Sequence, residues 1–367
     1  MLIACLNPGS SSTKLSVVDG DVTVSQSSIA PDGANVDLST VLPEGISAAA
    51  IRVVHGGMEF RQPTLVQGDV LARLRKLSWL APLHNPAALR LIDQIHEMRP
   101  DLPLVACFDT AFHATLAAEA YTYPVPRAWT QEWGLRRFGF HGLSHAYASR
   151  RAGELLGRRP DRLVTCHLGA GASLCAVRDG RSVDTTMGFT PMDGLMMVTR
   201  SGSVDPGLIL FALRQGLSAE EIERGLDREA GILGVSGIGP GFLEVVTASD
   251  GGDGSARLAL DIYRHRLAQG IAAMAATLGG IDTLVFTGGV GENQPQLWKR
   301  VCAALGFLGI RLGAAMLAVE AQDQRLSTSN PQAAVMVIHA REDLEMARQA
   351  SSLLMAGQEL PPRKTGP

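Results

Sequence analysis

The chain has 367 residues, of which 46% are hydrophobic and 19% charged, and its 33 lysines and arginines against 36 aspartates and glutamates give a net charge of −3. This composition excludes a disordered or fibrous chain, and a pI near 6.3 argues against nucleic acid as the main partner. The length predicts about two domains.

The five cysteines are scattered and form no Cys-x-x-Cys pair, which predicts reduced thiols rather than a disulfide framework or a zinc site. The N-terminal residues are typical of a first strand rather than a signal peptide, and no apolar run approaches the length of a membrane helix. These features predict a cytoplasmic protein that has no membrane partner.

Strand and helix patterns alternate along the chain. Short apolar and β-branched runs predict strands, and periodic runs bounded by Asn-Pro or Gly predict helices. In chain order we expect strands at 2–6 and 15–19, a loop or weak edge strands at 21–49, a strand at 50–54, a helix at 85–98, a strand at 102–108, a helix at 144–156, a strand at 163–168, a helix near 256–278, strands at 283–287 and 334–338, and a closing helix at 342–354. Residues 356–367 are expected to form a disordered tail.

The two halves of the chain begin with similar segments. Residues 2–20 and 163–180 each contain a strand, a turn of small residues, a second strand and an Asp-Gly turn. This similarity favours a duplicated fold, although two unrelated β-hairpins would share the same pattern. Turns rich in Gly and Ser offer backbone N–H groups and hydroxyls to an anion, so the two hairpins would suit a phosphate.

A further glycine cluster lies between a predicted strand and a predicted helix, at Phe286-Thr-Gly-Gly-Val-Gly-Glu-Asn293. Glycine there would let a ligand approach the backbone at the start of a helix, although a tight strand-to-helix turn also needs it. The spacing matches neither the dinucleotide-binding fingerprint nor the P-loop. With the two hairpins, the cluster indicates a nucleotide phosphate site.

Several basic residues lie beside predicted strands. Arg52 is inside a buried strand, where a guanidinium needs a carboxylate or phosphate partner, either as a ligand or in an internal salt bridge. Arg200 is similar, set among Gly and Ser. His141 and His145 have a spacing that could bind zinc, but no third ligand is evident. Contact with the oxygens of a transferring phosphoryl group fits these histidines better.

Two carboxylates stand at the ends of predicted elements. Asp109 follows an apolar strand, the place where α/β folds put catalytic acids. Glu342 opens the last helix and could hold Mg²⁺, or it could be an ordinary first-turn glutamate favoured by the helix dipole. His84 and His167 are equally open, as core histidines or as hydrogen-bonding groups at a site.

Together these motifs resemble the acetate kinase family, which has the fold of actin, the sugar kinases and the heat-shock ATPases. The resemblance runs from Leu2 to about Arg348. The motifs that carry it are Asn7-x-Gly-Ser-Ser-Ser-x-Lys14, Arg52-Val-Val-His-Gly-Gly57, Ala81-Pro-Leu-His-Asn-Pro86, Phe108-Asp-Thr-Ala-Phe-His113, Gly139-Phe-His-Gly-x-Ser-His145, Met187-Gly-Phe-Thr-Pro191 and Phe286-Thr-Gly-Gly-Val-Gly-Glu-Asn293.

The resemblance implies an α/β fold of two duplicated ribonuclease-H-like (actin-like ATPase) domains with an interdomain active-site cleft. The domains would be residues 1–148 and the nucleotide-binding residues 149–355, with the closing helix able to pack on the first domain. The implied activity is reversible, Mg²⁺- or Mn²⁺-dependent transfer of the γ-phosphoryl group of ATP to acetate, which gives acetyl phosphate and ADP. The family also implies a homodimer.

The resemblance also implies residue roles. Arg52, Asp109, His141 and Arg200 would be catalytic, and Asn7 and Glu342 would hold the metal. Acetate would be bound by Arg52, Val54, Leu83, Phe140 and Pro191. The nucleotide would be bound by Ser10, Ser12, Lys14, His167, Leu168, Gly169, Ala170, Gly171, Gly241, Phe242, Leu243, Gly289, Val290, Gly291, Glu292 and Asn293.

The chain departs from the family pattern mainly at these nucleotide positions. Ala170 stands where the family has asparagine, and Gly241 and Leu243 stand where it has an aspartate and an arginine. Three alternatives to an ATP-dependent acetate kinase therefore stay open. They are a kinase for propionate or another short-chain acid, a kinase with a different phosphoryl donor such as pyrophosphate, and a non-catalytic nucleotide sensor.

Overall fold

The computed structural model describes residues 1–9, 12–30, 38, 42–82, 84–239, 241–313, 318–328 and 332–358. The chain divides into two compact units. The first consists of Met1–Ala114, Gly142–Tyr147 and the segment from Arg341, and the second of Thr115–His141 and Ala148–Ala340.

Each unit contains a β-sheet. Among the described residues, the strands of the first unit are β1 (Leu2–Pro8), β2 (Thr13–Asp19), β3 (Val22–Ile29), β4 (Ala48–Val53), β5 (Thr64–Leu65) and β6 (Leu104–Phe108). The strands of the second unit, described on the same basis, are β7 (Leu163–Leu168), β8 (Ala172–Arg178), β9 (Arg181–Thr185), β10 (Thr283–Thr287), β11 (Gln324–Arg325) and β12 (Ala334–Val337).

Helices connect and cover these strands. In chain order they are α1 (Val70–Lys76), α2 (Asn85–Met98), α3 (Ala118–Tyr121), α4 (Arg127–Trp133), α5 (Gly142–Leu156), α6 (Pro206–Arg214), α7 (Ala219–Arg228), α8 (Gly231–Ser236), α9 (Phe242–Asp250), α10 (Gly254–Leu278), α11 (Gly288–Asn293), α12 (Pro295–Ala304) and α13 (Glu342–Gln358). Short 3₁₀ turns occur at Ser78–Leu80, Ala111–Thr115 and Gly306–Leu308.

The two sheets have the same topology. The order is β3-β2-β1-β4-β6-β5 in the first and β9-β8-β7-β10-β12-β11 in the second. In the first, β1, β4 and β6 are parallel while β2, β3 and β5 are added antiparallel. The second repeats this pattern with β7, β10 and β12 parallel. The duplication expected from the two hairpins is therefore confirmed.

The pattern of apolar and polar residues in a strand follows from how deeply that strand is buried. The interior strands β6 and β10 are buried at every residue, so β6 is a continuous apolar run and β10 has three apolar residues in a row between its threonines. Strand β3 lies at a sheet edge and is mostly exposed, which explains its serines and threonine. The weak edge strand expected within residues 21–49 is thus confirmed.

Both faces of the first sheet are covered. On one face, Ile92 and Ile95 of α2 pack in a core with Leu6 and Ile51. On the other, Met346 and its neighbours on α13 pack against a core of small and medium-sized strand residues, Ile3, Cys5, Ala50, Val105 and Cys107. The closing helix is therefore part of the first unit. All five cysteines are buried free thiols.

Most predicted elements are found within a few residues of their expected bounds. The helix expected at 144–156 begins earlier, at Gly142, and the closing helix extends to Gln358. Of the predicted tail, residues 359–367 lie outside the described part of the chain. Within the described ranges, no helix is long and apolar enough to cross a membrane.

Candidate active site

A charge pair of the first unit lies at the carboxyl ends of two parallel strands. Arg52 is on β4, and Asp109 directly follows β6. The Arg52 Nε atom lies 2.9 Å from Asp109 Oδ1, and Nη2 lies 2.5 Å from Oδ2, so the ion pair is bidentate. Asp109 is only 1% exposed.

Burial opposes the charge on both members of this pair. Desolvation lowers the pKa of Arg52, but the Asp109 carboxylate, and after it Glu342, outweigh burial and raise that pKa above its usual value. For Asp109, burial is the larger influence, and it raises the pKa although the guanidinium acts to lower it. The Arg52 guanidinium therefore stays charged.

Asn7 connects this pair to the last helix. Its Oδ1 accepts a hydrogen bond from Arg52 Nη1 at 2.9 Å, and its Nδ2 donates to Glu342 Oε2 at 2.7 Å. Asn7 is on β1, and Glu342 is the first residue of α13. Adjacent parallel strands therefore bring Asn7, Arg52 and Asp109 together at the carboxyl ends of β1, β4 and β6, with Glu342 beside them.

Asn7 and Glu342 could hold a divalent cation. Both offer oxygen ligands, and Mg²⁺ is commonly bound through one or two such side chains together with waters and substrate phosphates. No group of three or more His, Cys, Asp or Glu side chains in the described residues is arranged to hold a metal. The donor set therefore fits an ion that shares its coordination with a substrate.

Backbone contacts support the chain around Arg52 and Asp109. The Asn85 amide donates to the His55 carbonyl at 3.0 Å and accepts from the His55 N–H at 3.2 Å. Asn85 therefore starts helix α2 without capping it, because its side chain is already bonded. Gly142 N donates to Asp109 O at 2.8 Å, and a Cβ at residue 142 would overlap that oxygen.

The first hairpin turn is closed by a hydrogen bond from Gly9 N to Ser12 O, 2.9 Å long. Lys14 is exposed and lies opposite Asn7 in the β1–β2 register, so the two side chains share a face of the sheet. Ser10 lies outside the described residues.

A second group of candidate residues converges in the second unit. His141 Nδ1 is 2.9 Å from Ser173 Oγ, and its ring centroid is 4.3 Å from that of His167. A Cβ on Gly171 would lie 3.4 Å from His141 Nε2 and 3.6 Å from Arg200 Nη1. The second hairpin therefore has a histidine and an arginine directly beside its glycine turn.

The turn at the start of α11 lies next to the same hairpin. Gly288 has a left-handed backbone (φ +80°), and a Cβ there would contact the backbone of Leu168. Glu292 Oε1 accepts hydrogen bonds from Gly288 N and Ala340 N, both 2.8 Å long. Asn293 Nδ2 donates to the carbonyl of residue 289 at 2.9 Å. These two side chains hold the turn in shape.

The first two residues of helix α9 are apolar. Gly241 precedes the helix, the Phe242 ring packs edge-on against Tyr263 with centroids 5.4 Å apart, and Leu243 is 67% exposed. A Cβ at Gly241 would lie 3.0 Å from Glu244 Oε1. A carboxylate that belongs to the helix itself therefore lies beside this turn.

Phe140 and Pro191, two of the residues expected to contact acetate, belong to loops that are bonded together in the second unit. Phe138 N donates to Gly188 O at 3.0 Å. Arg137 Nη1 donates to the carbonyls of residues 186 and 187 at 2.8 and 3.0 Å. Phe140 is buried. In the first unit Val54 is buried, and Leu83 lies outside the described residues.

The histidines considered for zinc lie in different surroundings. His141 is bonded to Ser173, whereas the buried His145 packs edge-on against His113, with ring centroids 5.7 Å apart. His84 precedes α2 as its cap residue, without a side-chain capping bond. These positions favour the phosphoryl-contact interpretation of His141 over the zinc alternative.

Two partners of candidate residues were missed by sequence reasoning. Arg200 Nε donates to Asp227 Oδ1 at 2.7 Å, and His141 is paired with Ser173. The hairpin register could have pointed to Ser173, because this residue on β8 lies opposite His167, which is itself a candidate site residue. Asp227 carries no local signal, because its partner is distant in sequence.

Comparisons with known proteins agree on one family. The model of the acetokinase family matches residues 34–348. An acetate kinase from Synechococcus is 46% identical over 319 residues, which cover 86% of this chain and 79% of that protein. The solved structure of Porphyromonas gingivalis acetate kinase has a TM-score of 0.90 at 32% identity and covers 96% of this chain and 99% of that chain. A propionate kinase from Francisella tularensis has a TM-score of 0.85 at 33% identity, covering 95% and 98%.

His55 should make stability depend on pH. Burial lowers its pKa from 6.5 to about 4. Between about pH 6.5 and about pH 4, His55 is therefore protonated in the unfolded chain and neutral in the folded chain. The free energy of unfolding is unaffected by His55 above pH 6.5, and it decreases by about 3 kcal/mol as the pH falls to 4. We expect His55→Gln to flatten the pH dependence of the free energy of unfolding, measured with urea between about pH 7 and about pH 4.5.

The exposed His265 provides the matched control, because His265→Gln should keep the wild-type slope. An unchanged slope in His55→Gln would contradict the assignment of this pH dependence to His55.

Proposed function

The chain belongs to the acetokinase family, and from that membership we propose that it is an acetate kinase, transferring the γ-phosphoryl group of ATP reversibly to acetate to give acetyl phosphate and ADP. The observation that carries the proposal is the partly buried guanidinium of Arg52, held by Asp109 and Asn7 at the carboxyl ends of parallel strands.

Arg52 is suited to bind the small anionic acceptor. A guanidinium has five N–H donors, and the Asp109 and Asn7 bonds use the Nε–H and one N–H on each terminal nitrogen. Within the described residues, one N–H on Nη1 and one on Nη2 stay available, the number needed for a carboxylate or phosphoryl group. Val54, Leu83, Phe140 and Pro191 would enclose the methyl group.

The reaction needs no strong general base, because acetate is already ionised at neutral pH. One carboxylate oxygen forms a bond to the γ-phosphorus as the bond from that phosphorus to the bridging oxygen of ADP breaks, and ADP leaves with the electron pair. Arg200 and His141 beside Gly171 would neutralise the charge on the transferring oxygens, and Asp109 would keep Arg52 in place.

Asn7 and Glu342 would hold the divalent cation, which we propose to be Mg²⁺, with Mn²⁺ as a substitute. When bound, the cation supplies charge neutralisation for the phosphates. Backbone N–H groups of the hairpins at residues 9–14 and 167–171, with Lys14 and the α11 turn, would bind the remaining phosphate charge.

We further propose that the protein is a cytoplasmic homodimer that binds neither nucleic acid nor membranes. The net charge of −3 supports the absence of a nucleic-acid partner. Helix α6 and the turn after it supply a candidate subunit contact, since Leu208, Leu210, Phe211, Leu213 and Leu217 are each between 44% and 60% exposed.

The purified chain should form acetyl phosphate from acetate, ATP and Mg²⁺, trapped with hydroxylamine. Arg52→Ala should lower kcat by roughly 100- to 1000-fold, because it removes fixed donors from the developing charge. The kcat of Arg52→Lys should lie between those of wild type and Arg52→Ala, since lysine keeps the charge without the planar guanidinium. Arg61→Ala, which removes an exposed arginine of the same unit, should match wild type.

Melting temperatures of the four proteins separate lost chemistry from lost folding. Absence of acetyl phosphate, or equal activity in folded Arg52→Ala, would contradict the proposed function.

A second candidate keeps the acceptor chemistry and changes the phosphoryl donor. It is favoured by the start of α9, where Gly241 and Leu243 replace the charged side chains of the family and Glu244 adds a negative charge. Loss of a charged hydrogen bond weakens binding by roughly 1–3 kcal/mol. Propionate is likewise an alternative acceptor, because one methylene changes pocket affinity by only about 1–3 kcal/mol.

Leu243→Arg should lower KM for ATP by about tenfold, because it supplies a charged donor at an exposed position. Leu258→Arg adds the same charge at an exposed position on α10 and should leave KM unchanged. Initial rates with ATP, GTP and pyrophosphate complete the comparison. Faster turnover with pyrophosphate than with ATP would favour the second candidate and contradict ATP as the donor.

A further inference from the structure

Asp227 lies near the end of helix α7 and is bonded to one of the candidate catalytic residues. Its Oδ1 accepts the Nε–H of Arg200 at 2.7 Å, and the side chains are 18% and 24% exposed. We propose that Asp227 is a positioning residue that orients Arg200 for phosphoryl transfer, an inference that rests on the proposed function. Asp227 would act through Arg200 without touching the substrate.

The backbone on both sides of the ion pair is fixed. Thr199 Oγ1 donates to Asp227 O at 3.0 Å, and Ser201 N donates to Leu226 O at 3.0 Å. Ala230 N donates to Thr199 O, also at 3.0 Å. The segment that carries Arg200 is therefore bonded to the end of α7 at several points. An ion pair between two fixed backbones restricts the side chain far more than one between flexible surface groups.

The point at which Asp227 binds the guanidinium matters as much as the bond itself. A carboxylate on Nε occupies one edge of the planar fork and leaves the terminal nitrogens for another anion. Arg200 Nη1 lies 3.6 Å from the position that a Cβ on Gly171 would take, and His141 Nε2 lies 3.4 Å from the same position. Asp227 thus directs the free end of Arg200 to the glycine turn that His141 also faces.

A neighbouring arginine competes weakly for the same carboxylate. Arg228 Nε lies 3.9 Å from Asp227 Oδ2, and its side chain is 63% exposed. A contact of that length at the surface contributes little. Arg228→Ala therefore serves as the matched control, since it changes the charge beside Asp227 without removing the bond to Arg200.

A double-mutant cycle on the full chain tests the proposal, with ATP, Mg²⁺ and acetate as substrates. Asp227→Ala should lower kcat by roughly 10- to 100-fold, because a misplaced catalytic group loses about that much rate. Asp227→Asn should retain most of the activity, since an amide oxygen still accepts the Nε–H. In an Arg200→Ala background, Asp227→Ala should have no further effect. Melting temperatures should stay close to wild type, and Arg228→Ala should be fully active.

Three results would overturn the role of Asp227 in an active wild-type enzyme. These are full activity in Asp227→Ala, the same loss of kcat with and without Arg200, and a loss in Asp227→Asn as deep as in Asp227→Ala. Wild-type protein that forms no acetyl phosphate would instead overturn the proposed function and this inference with it, so the two failures are distinguishable.

Discussion

The ion pair between the partly buried Arg52 and the buried Asp109 is the constraint on which the first unit depends. Removing a guanidinium and a carboxylate from water is costly, and the bidentate bond compensates for that cost only while both strands keep their register. The register also brings Asn7 to the same edge, where it joins Arg52 to Glu342. One electrostatic requirement thus connects three parallel strands and the closing helix. It leaves a permanent cation with donors available for a small anion, beside oxygen ligands suited to a divalent ion.

The second unit repeats the topology but uses it differently. Its β7–β8 hairpin has a turn of small residues at 169–171, and the strand order is the same as in the first unit. Beside this turn lie the imidazole of His141 and the guanidinium of Arg200. Glu292, whose carboxylate bonds two backbone N–H groups, keeps the neighbouring α11 turn in shape. Duplication therefore supplied two sheets of the same strand order, and the side chains at the carboxyl ends of their parallel strands differ.

The fold was largely predictable because its signals are local. Continuous apolar runs mark the central strands, and the repeated hairpin pattern predicts the duplication. Where sequence reasoning was incomplete, a long-range contact decides the local structure. Helix α5 begins at Gly142 because that backbone contacts Asp109, and Asn85 leaves its helix uncapped because its amide is bonded to His55. The candidate site residues were predicted from their types and motifs. Their partners were not, as Asp227 shows, since no periodicity connects a helix end to an arginine in another loop.

In the proposed reaction a carboxylate held by Arg52 attacks the γ-phosphorus of ATP directly. This step is tested most directly by incubating the enzyme with ATP, Mg²⁺ and acetate labelled with heavy oxygen in both carboxylate positions, and then recording the phosphorus NMR spectrum of the product. Direct attack predicts acetyl phosphate whose phosphorus is bonded to one heavy oxygen atom, together with unlabelled ADP. Acetyl phosphate without heavy oxygen on phosphorus, or no acetyl phosphate at all, would contradict the account.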